Sequence, residues 1–166
     1  MNNTTFDEVK DKFYSLIVTG EVLPEALVDE WLDSAIGEYE LELSKLEYTE
    51  YEDIAEVPVV STVNMETSQN NESMSELATS TVVSVTKKAF TTHLSSAQKS
   101  LLGRYMQREF ITRELSRFSK VTGIDSKDEK VSGLQATKIT LRAELEFSET
   151  AIAELVAKIK ELQNGE

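Results

Sequence analysis

Residues 134–162 read "LQATKITLRAELEFSETAIAELVAKIKEL", and their apolar pattern decides the fold class. Alternating steps of four and three residues visit nine positions, of which seven are aliphatic: Leu134, Lys138, Leu141, Leu145, Ser148, Ile152, Leu155, Ile159 and Leu162. Such a repeat forms one apolar seam along a helix, and the seam needs a helical partner. The stretch predicts a long C-terminal helix in which aspartate at Leu145 or Ile152 would disrupt the fold and leucine at Ser148 would be accepted.

The nearest partner in sequence is "LSSAQKSLLGRYMQREFITRELSRFSKVTG", residues 94–123. Ser95 or Ser96 can cap this helix and Gly123 can end it. Its apolar residues drift around the cylinder, which predicts contacts on more than one side. The two helices are joined by "GIDSKDEKVSG", residues 123–133. We interpret the joint as a solvated connection with Ser132 as the next cap, because lysines occupy the third and sixth positions of any calcium loop counted from Asp125.

Four arginines of this helix form two pairs spaced four residues apart: Arg104, Arg108, Arg113 and Arg117. Such a basic ridge with interleaved aromatics can bind nucleic acid, or it can pair with an acidic helix. We favour protein contacts because the chain as a whole is acidic. Together with four seam residues, Leu145, Ile152, Leu155 and Ile159, these arginines are the candidate protein-interface residues.

The charge is unevenly distributed along the chain. The net charge is −13, and residues 1–56 alone hold sixteen Asp and Glu against three Lys. Residues 57–166 hold fourteen of each sign, while residues 87–120 hold eight bases against two acids. This asymmetry predicts attraction between the N-terminal and middle segments, within a subunit or between neighbours.

Two helices are predicted in the acidic N-terminal segment. The first has Thr5 as its N-cap and an apolar face that includes Phe6, Val9 and Phe13. The second starts near Pro24 and is predicted to continue to Leu46, with one apolar side: Leu27, Trp31, Ala35, Tyr39, Leu43 and Leu46.

Residues 53–90 break the helical pattern. The β-branched runs "VPVVSTV" and "TVVSVT" flank a stretch that is mostly Ser, Thr, Asn and Gln from Ser61 to Thr81. We predict a hairpin-like arm with a mobile polar loop, and Pro58 restricts its strand to an edge. Disorder of the whole segment remains the alternative. An open strand edge is a pairing surface for a neighbouring subunit unless the loop shields it.

The residues offer little chemistry for catalysis. There is no cysteine and a single histidine, His93, so thiolate and two-histidine metal sites are excluded. The glycines fall in neither a dinucleotide-binding nor a phosphate-loop pattern. We predict no enzymatic activity, no cofactor and no metal site. No signal pattern or membrane-length apolar run is present, which favours a soluble, cytoplasmic protein.

The order of these elements resembles a known family. A short amphipathic helix, an acidic helix ("ALVDEWLDSAIGEYELEL"), a variable middle, a long helix ("LLGRYMQREFITREL") and a terminal helix entered through "GIDSKDEKVSGLQATKITL" are similar to the small neck proteins of tailed bacteriophages, the head-to-tail connectors or adaptors. The resemblance covers most of the chain apart from about Ser61 to Phe90. It rests on helix patterns, and the strand-like middle departs from a purely helical bundle.

The resemblance implies a virion structural protein located in the neck and assembled in the host cytoplasm. Its partners would be the portal protein and other neck or tail-completion proteins. Subunits would form a ring on the portal that extends the DNA channel, with genomic DNA passing without specific binding. No active site, cofactor or membrane association is implied.

The predicted fold is therefore mainly α, a helical bundle with a long C-terminal helical hairpin and a small β-like arm. We expect one domain over residues 1–166, divided into an acidic helical head (1–52), the arm (53–90) and an antiparallel helix pair (91–166). Two other functions fit the residues: an acidic DNA mimic or regulator, and a coiled-coil interaction adaptor.

Overall fold

The computed structural model describes residues 3–17, 22–59, 79–122 and 130–165. Its elements follow in the order α1 (Phe6–Tyr14), α2 (Glu25–Glu42), β1 (Tyr48–Val59), β2 (Thr79–Phe90), α3 (Ser96–Thr122) and α4 (Lys130–Asn164). Two predictions from the sequence fall largely outside the described residues: the polar loop at 61–81 and the joint at 123–133.

Local sequence signals fix the starts of the helices. Thr5 caps α1 in a reciprocal arrangement, in which its Oγ1 accepts from the Glu8 N–H and its own N–H donates to Glu8, both at 3.3 Å. Ser95 caps α3 in the same way through Gln98. Such capping boxes satisfy backbone N–H groups that have no partner inside the helix. The predicted caps at Thr5 and Ser95 are confirmed.

The strands β1 and β2 form a two-stranded antiparallel sheet, paired from Tyr48 with Phe90 to Val59 with Thr79. The arm is thus a β-hairpin, and the alternative of disorder is wrong for its two strands. The strand β1 starts at Tyr48, earlier than the predicted boundary at residue 53. The hairpin base is anchored through the segment before α1, because Thr5 bridges to Ala89 and the Phe90 N–H donates to the Thr4 carbonyl at 2.8 Å.

Helix α3 lies at the centre of the helical body and packs against α1, α2 and α4. Its first half buries four apolar side chains, Leu101, Leu102, Tyr105 and Met106. The helix is covered on several sides, as the drift of its apolar residues predicts. At the contact with α1 there is no side chain on Gly103, and a Cβ there would lie 3.4 Å from the Phe13 nitrogen. The small residue lets the two helices approach closely.

Helix α4 packs along α3 in the opposite direction. Ser148 lies against Arg104 and Gln107 in the first half of α3. Thr137, earlier in α4, lines the same groove as Phe118 near the end of α3. The two helices therefore form a helical hairpin. With 35 residues, α4 is about 52 Å long and exceeds α3.

The mainly α fold class with a helical hairpin and a small β-arm is confirmed. Two predicted element bounds are wrong. Helix α2 ends at Glu42, so Leu43 and Leu46 lie beyond it, although Leu46 is still buried in the core. Helix α4 begins at Lys130, so Ser132 lies inside the first turn and does not cap it.

The first prediction concerns the buried part of α4. Ile152 is 6% exposed and belongs to the core, so Ile152→Asp places an unpaired charge among apolar side chains. We expect a loss of about 3–5 kcal/mol in the free energy of unfolding, because a buried unpaired carboxylate is poorly solvated. Urea titration followed by circular dichroism measures it.

Leu162→Asp is the matched control. Leu162 lies on the same helix and belongs to the same sequence repeat, but it is 61% exposed. We expect the free energy of unfolding of this variant to lie within about 0.5 kcal/mol of that of the parent. Equal stability of the two variants would contradict the observed burial of α4.

Candidate protein-interaction surfaces

Arg108 joins the acidic and basic helices. Its guanidinium forms an ion pair with Glu38 of α2 and lies over the ring of Tyr105, 5.5 Å from the centroid. Both members of the pair keep only about a quarter of their side-chain surface exposed. The predicted attraction between the acidic and basic segments is therefore realised here within one subunit.

Tyr105 lies beneath this ion pair. Burial and the nearby carboxylates of Glu42 and Glu38 raise the pKa of its hydroxyl well above the ordinary value. The phenol is therefore neutral throughout the physiological range. Glu38, four residues before Glu42 in the sequence, thus links α2 to α3 through Arg108.

Arg104 faces α4 instead of α2. It donates to the Gln107 side-chain oxygen at 2.8 Å and lies 5.3 Å from the centroid of the Phe147 ring. Stacking of a guanidinium on an aromatic face is favourable because the ring face is electron-rich. Arg104 thus holds the exposed Phe147 ring against the helical hairpin.

The other two arginines lie in the second half of α3. Arg113 is exposed and lies over the Trp31 ring of α2, 5.8 Å from the centroid. Arg117 pairs with Glu114 on its own helix at 2.9 Å. The four arginines therefore have different surroundings, and the structure does not bring them together as one continuous ridge.

The seam residues of α4 divide into buried and half-buried positions. Ile152 and Ile159 belong to the core, together with Val156, which the sequence repeat does not include. Leu145 and Leu155 are half-buried, and Leu155 packs against the core. The buried stripe is therefore rotated slightly from the predicted seam, because α4 packs on a helix that is itself covered by α1 and α2.

Ser148 is the polar position within that stripe and is completely buried. Its hydroxyl lies 3.4 Å from the Gln107 side-chain oxygen and 3.5 Å from the Arg104 carbonyl. Gln107 in turn donates to the Leu16 carbonyl at 3.0 Å. Three segments of the chain are thus linked by a buried polar contact that hydrophobic periodicity does not reveal.

An apolar groove of about 630 Å³ lies beside this contact. It runs between the segment around Leu16 and the two helices of the hairpin. The apolar residues that line it are Leu16, Ile17, Leu23, Phe110, Ile111, Phe118, Leu141 and Phe147. Phe147 is 64% exposed at its edge. The volume suits a few apolar side chains from another protein.

The β-hairpin offers a second surface. Near its base, Phe6 of α1 stacks with Tyr48 and Phe90 at centroid distances of 5.2 and 4.8 Å. Lys87 bonds to Asp53 across the strands at 2.9 Å and approaches Asp7 of α1 at 3.6 Å. The Asp53 carboxylate raises the pKa of Lys87. Within the described residues, the sheet has two strands, so each strand has one long edge without a strand partner beyond this base.

Other kinds of site are not found in the part of the chain that the structure describes. No cluster of three or more His, Asp or Glu side chains could hold a metal ion there. None of the described helices combines the length and apolarity needed to cross a bilayer. His93 lies in the connection before α3, with Nδ1 at 3.5 Å from the Thr4 hydroxyl.

Comparison with protein-family models, with curated proteins and with solved structures gives no match. The features of the described residues that bear on function are the apolar groove and the β-hairpin.

The second prediction concerns Ser148, where the structure reverses the expectation from the sequence. A leucine has no space at a completely buried position beside Gln107. We expect Ser148→Leu to lower the free energy of unfolding by about 1–3 kcal/mol through overpacking and loss of the Gln107 contact. Ser148→Ala, which removes the hydroxyl without adding volume, should cost less. A melting temperature for Ser148→Leu at or above that of Ser148→Ala would contradict the packing.

The third prediction concerns the arginines. Arg108 is held by Glu38, and Arg104 is engaged with Gln107 and Phe147. We therefore expect weak or no binding of double-stranded DNA near physiological salt, measured by gel shift at two salt concentrations. Tight binding with a steep salt dependence, lost on charge reversal at Arg113 and Arg117, would identify a phosphate-binding surface instead.

Proposed function

We propose that this protein is a head-to-tail connector subunit of a tailed bacteriophage, a structural virion protein that assembles as a ring on the portal and extends the DNA channel towards the tail. The observation that carries the proposal is the presence of two unlike surfaces that remain open among the described residues. One is the apolar groove beside Phe147, and the other is the pair of β-hairpin edges. A connector subunit needs one surface for the portal and another for its neighbours in the ring. The contact with neighbours has to combine two unlike edges, because every copy contacts its two neighbours differently.

The groove is the proposed contact for the portal or another neck protein. Its lining combines aromatic and aliphatic side chains with polar and charged ones, and the exposed Phe147 ring is held in place by Arg104. Aromatic residues fixed beside a hydrophobic pocket contribute strongly to protein interfaces, since little side-chain entropy is lost on binding. This surface lies on the helical body and is separate in sequence from the β-hairpin.

The distribution of charge supports a position around passing DNA. Carboxylates of α2 such as Glu25 and Asp29 keep much of their surface exposed, at 85% and 48% of the side chain, even where Lys10 approaches them. Solvent-exposed carboxylates in excess over bases near a channel repel phosphates, so DNA can slide without being held.

The structure is less favourable to the coiled-coil adaptor function. That function requires the seam of α4 to be available for a foreign helix. Ile152, Val156 and Ile159 are instead buried in the core of the subunit. The acidic DNA mimic is distinguished by the experiment below, since a mimic needs no assembly on phage heads.

The fourth prediction tests the proposed function on particles. Heads assembled without this gene should package DNA but fail to join tails or to retain the genome. Addition of the protein to portal-containing heads should restore tail joining, and electron microscopy should reveal an added ring below the portal. Normal tailed particles from the deletion strain would refute the connector function.

A matched pair of variants links this test to the groove. Phe147→Asp changes a groove residue that is 64% exposed, and Leu162→Asp changes a 61% exposed leucine outside the groove lining. We expect at least a tenfold loss of binding to heads for Phe147→Asp, with the melting temperature nearly unchanged, and no loss for Leu162→Asp. Equal binding of both variants would exclude the groove as the contact.

A further inference from the structure

The two strands of the β-hairpin carry opposite charge. Strand β1 contains Glu50, Glu52, Asp53 and Glu56 and no basic residue. Strand β2 contains Lys87 and Lys88 and no acidic residue. Within the hairpin, side chains of opposite charge attract each other across the two strands. Lys87 bonds to Asp53, and Lys88 approaches Glu50 at 3.9 Å.

The β-hairpin is attached to the helical body at its base, where Ala89 bridges to Thr5 and Phe90 packs on Phe6. Both strands continue ten or more residues from that base, in a sheet that has two strands in the described part of the chain. A two-stranded hairpin is marginally stable in water, whereas a sheet of three or more strands is more stable. A further strand paired along one edge would therefore stabilise it.

The register places opposite charges on both faces of the hairpin. Side chains alternate between the two faces of a strand, and directly paired residues share a face. One face carries Asp53 of β1 and Lys87 of β2, and the other carries Glu50 and Glu52 of β1 with Lys88 of β2. An added strand therefore meets the charge difference between β1 and β2 on either face.

Charge decides which strand can be added. Two copies of β1 side by side would bring the four acidic residues of one strand against the four of the other. Two copies of β2 would bring lysines together. Both arrangements are unfavourable, because like charges directly opposite destabilise a strand pair. Only β1 against β2 repeats the unlike pairing already present inside the hairpin. Such a contact is heterologous and antiparallel, and it can be repeated from copy to copy until a ring closes.

We infer that the outer edge of β1 in one subunit pairs with the outer edge of β2 in the next copy of this chain, an inference that rests on the proposed ring and identifies its subunit contact. The pairing uses β1 before Pro58, which has no N–H to donate, and β2 up to Ala89, where Thr5 already occupies the edge. In the closed ring every hairpin has two neighbours, and no open edge remains for aggregation.

Because the chain has no cysteine, single substitutions can report this contact directly. Glu52→Cys labels β1 and Ser84→Cys labels β2, and both positions are exposed. Inside the hairpin, Glu52 pairs with Thr86, two residues from Ser84 on the same face. A contact between copies that repeats this register brings positions 52 and 84 of neighbouring subunits close together. Each variant is bound to portal-containing heads alone and as an equimolar mixture, and a short bismaleimide is then added.

We expect a cross-linked dimer in the mixture and at least tenfold less in either variant alone, because every chain carries only one thiol. Mass spectrometry of the dimer should identify a linkage between position 52 in a β1 peptide and position 84 in a β2 peptide. A mixture of Glu52→Cys with Leu162→Cys, whose leucine is equally accessible on α4, should give no dimer.

The outcomes separate this inference from the proposed function. A dimer in Glu52→Cys alone would mean that β1 pairs with β1, which overturns the inference. Rings on heads without a dimer in the mixture also overturn it, while leaving the connector function intact. If the heads bind no protein, the connector function fails. Cross-linking of the concentrated protein without heads then decides the inference. A dimer that forms in the mixture but in neither single variant supports it, and absence of that dimer overturns it.

Discussion

The structure depends on the enclosure of α3 by the other three helices. Phe13 of α1, Trp31 of α2 and Phe110 of α3 meet in edge-to-face contacts, with ring centroids 5.8 to 6.4 Å apart. Edge-to-face packing places the positive rim of one ring against the negative face of the next and adds to the hydrophobic gain. On the remaining side α4 covers α3 through Ile152 and Val156. Because α3 packs against three neighbouring helices, its apolar residues cannot lie in a single stripe.

The same enclosure leaves two parts of the subunit open among the described residues. The helices diverge enough around Phe147 to leave an apolar groove, and the β-hairpin leaves the body after a base fixed by Thr4 and Phe6. Thr4 is completely buried, with its carbonyl accepting from Phe90 and its hydroxyl accepting from the Leu94 N–H at 2.9 Å. A short segment before α1 thus sets the direction in which the arm leaves the body. In the proposed ring, rigid attachment at the base would orient the arm towards a neighbouring subunit.

Electrostatic contacts follow the packing and do not create it. Lys10 of α1 reaches Asp29 of α2 at 2.5 Å, and Lys99 of α3 reaches Glu8 at 3.0 Å, where its hydrogen bond lowers the pKa of that carboxyl. Exposed pairs of this kind contribute little stability individually, since water and salt screen them. They do favour one arrangement of acidic and basic segments over others. In the proposed ring, the opposite signs of β1 and β2 would act in the same way between subunits, by favouring one mode of strand pairing over two others.

The sequence by itself determined most of the elements: the caps at Thr5 and Ser95, the long helices and the mainly α fold class all follow from local patterns of hydrophobicity and hydrogen bonding. For the arm it favoured two strands but left disorder open, since strand formation depends on pairing with residues distant in the chain. It also identified the chemistry of Arg108 and of the acidic helix, because charge is a property of each residue. Only the tertiary structure decided that Arg108 meets Glu38 while Arg104 meets Phe147, that Val156 is buried and Leu162 exposed, and that Ser148 is enclosed by Gln107. These outcomes depend on the rotation of each helix about its axis, which is set by the shapes of all its neighbours together. A periodic pattern in one segment contains no information about those shapes.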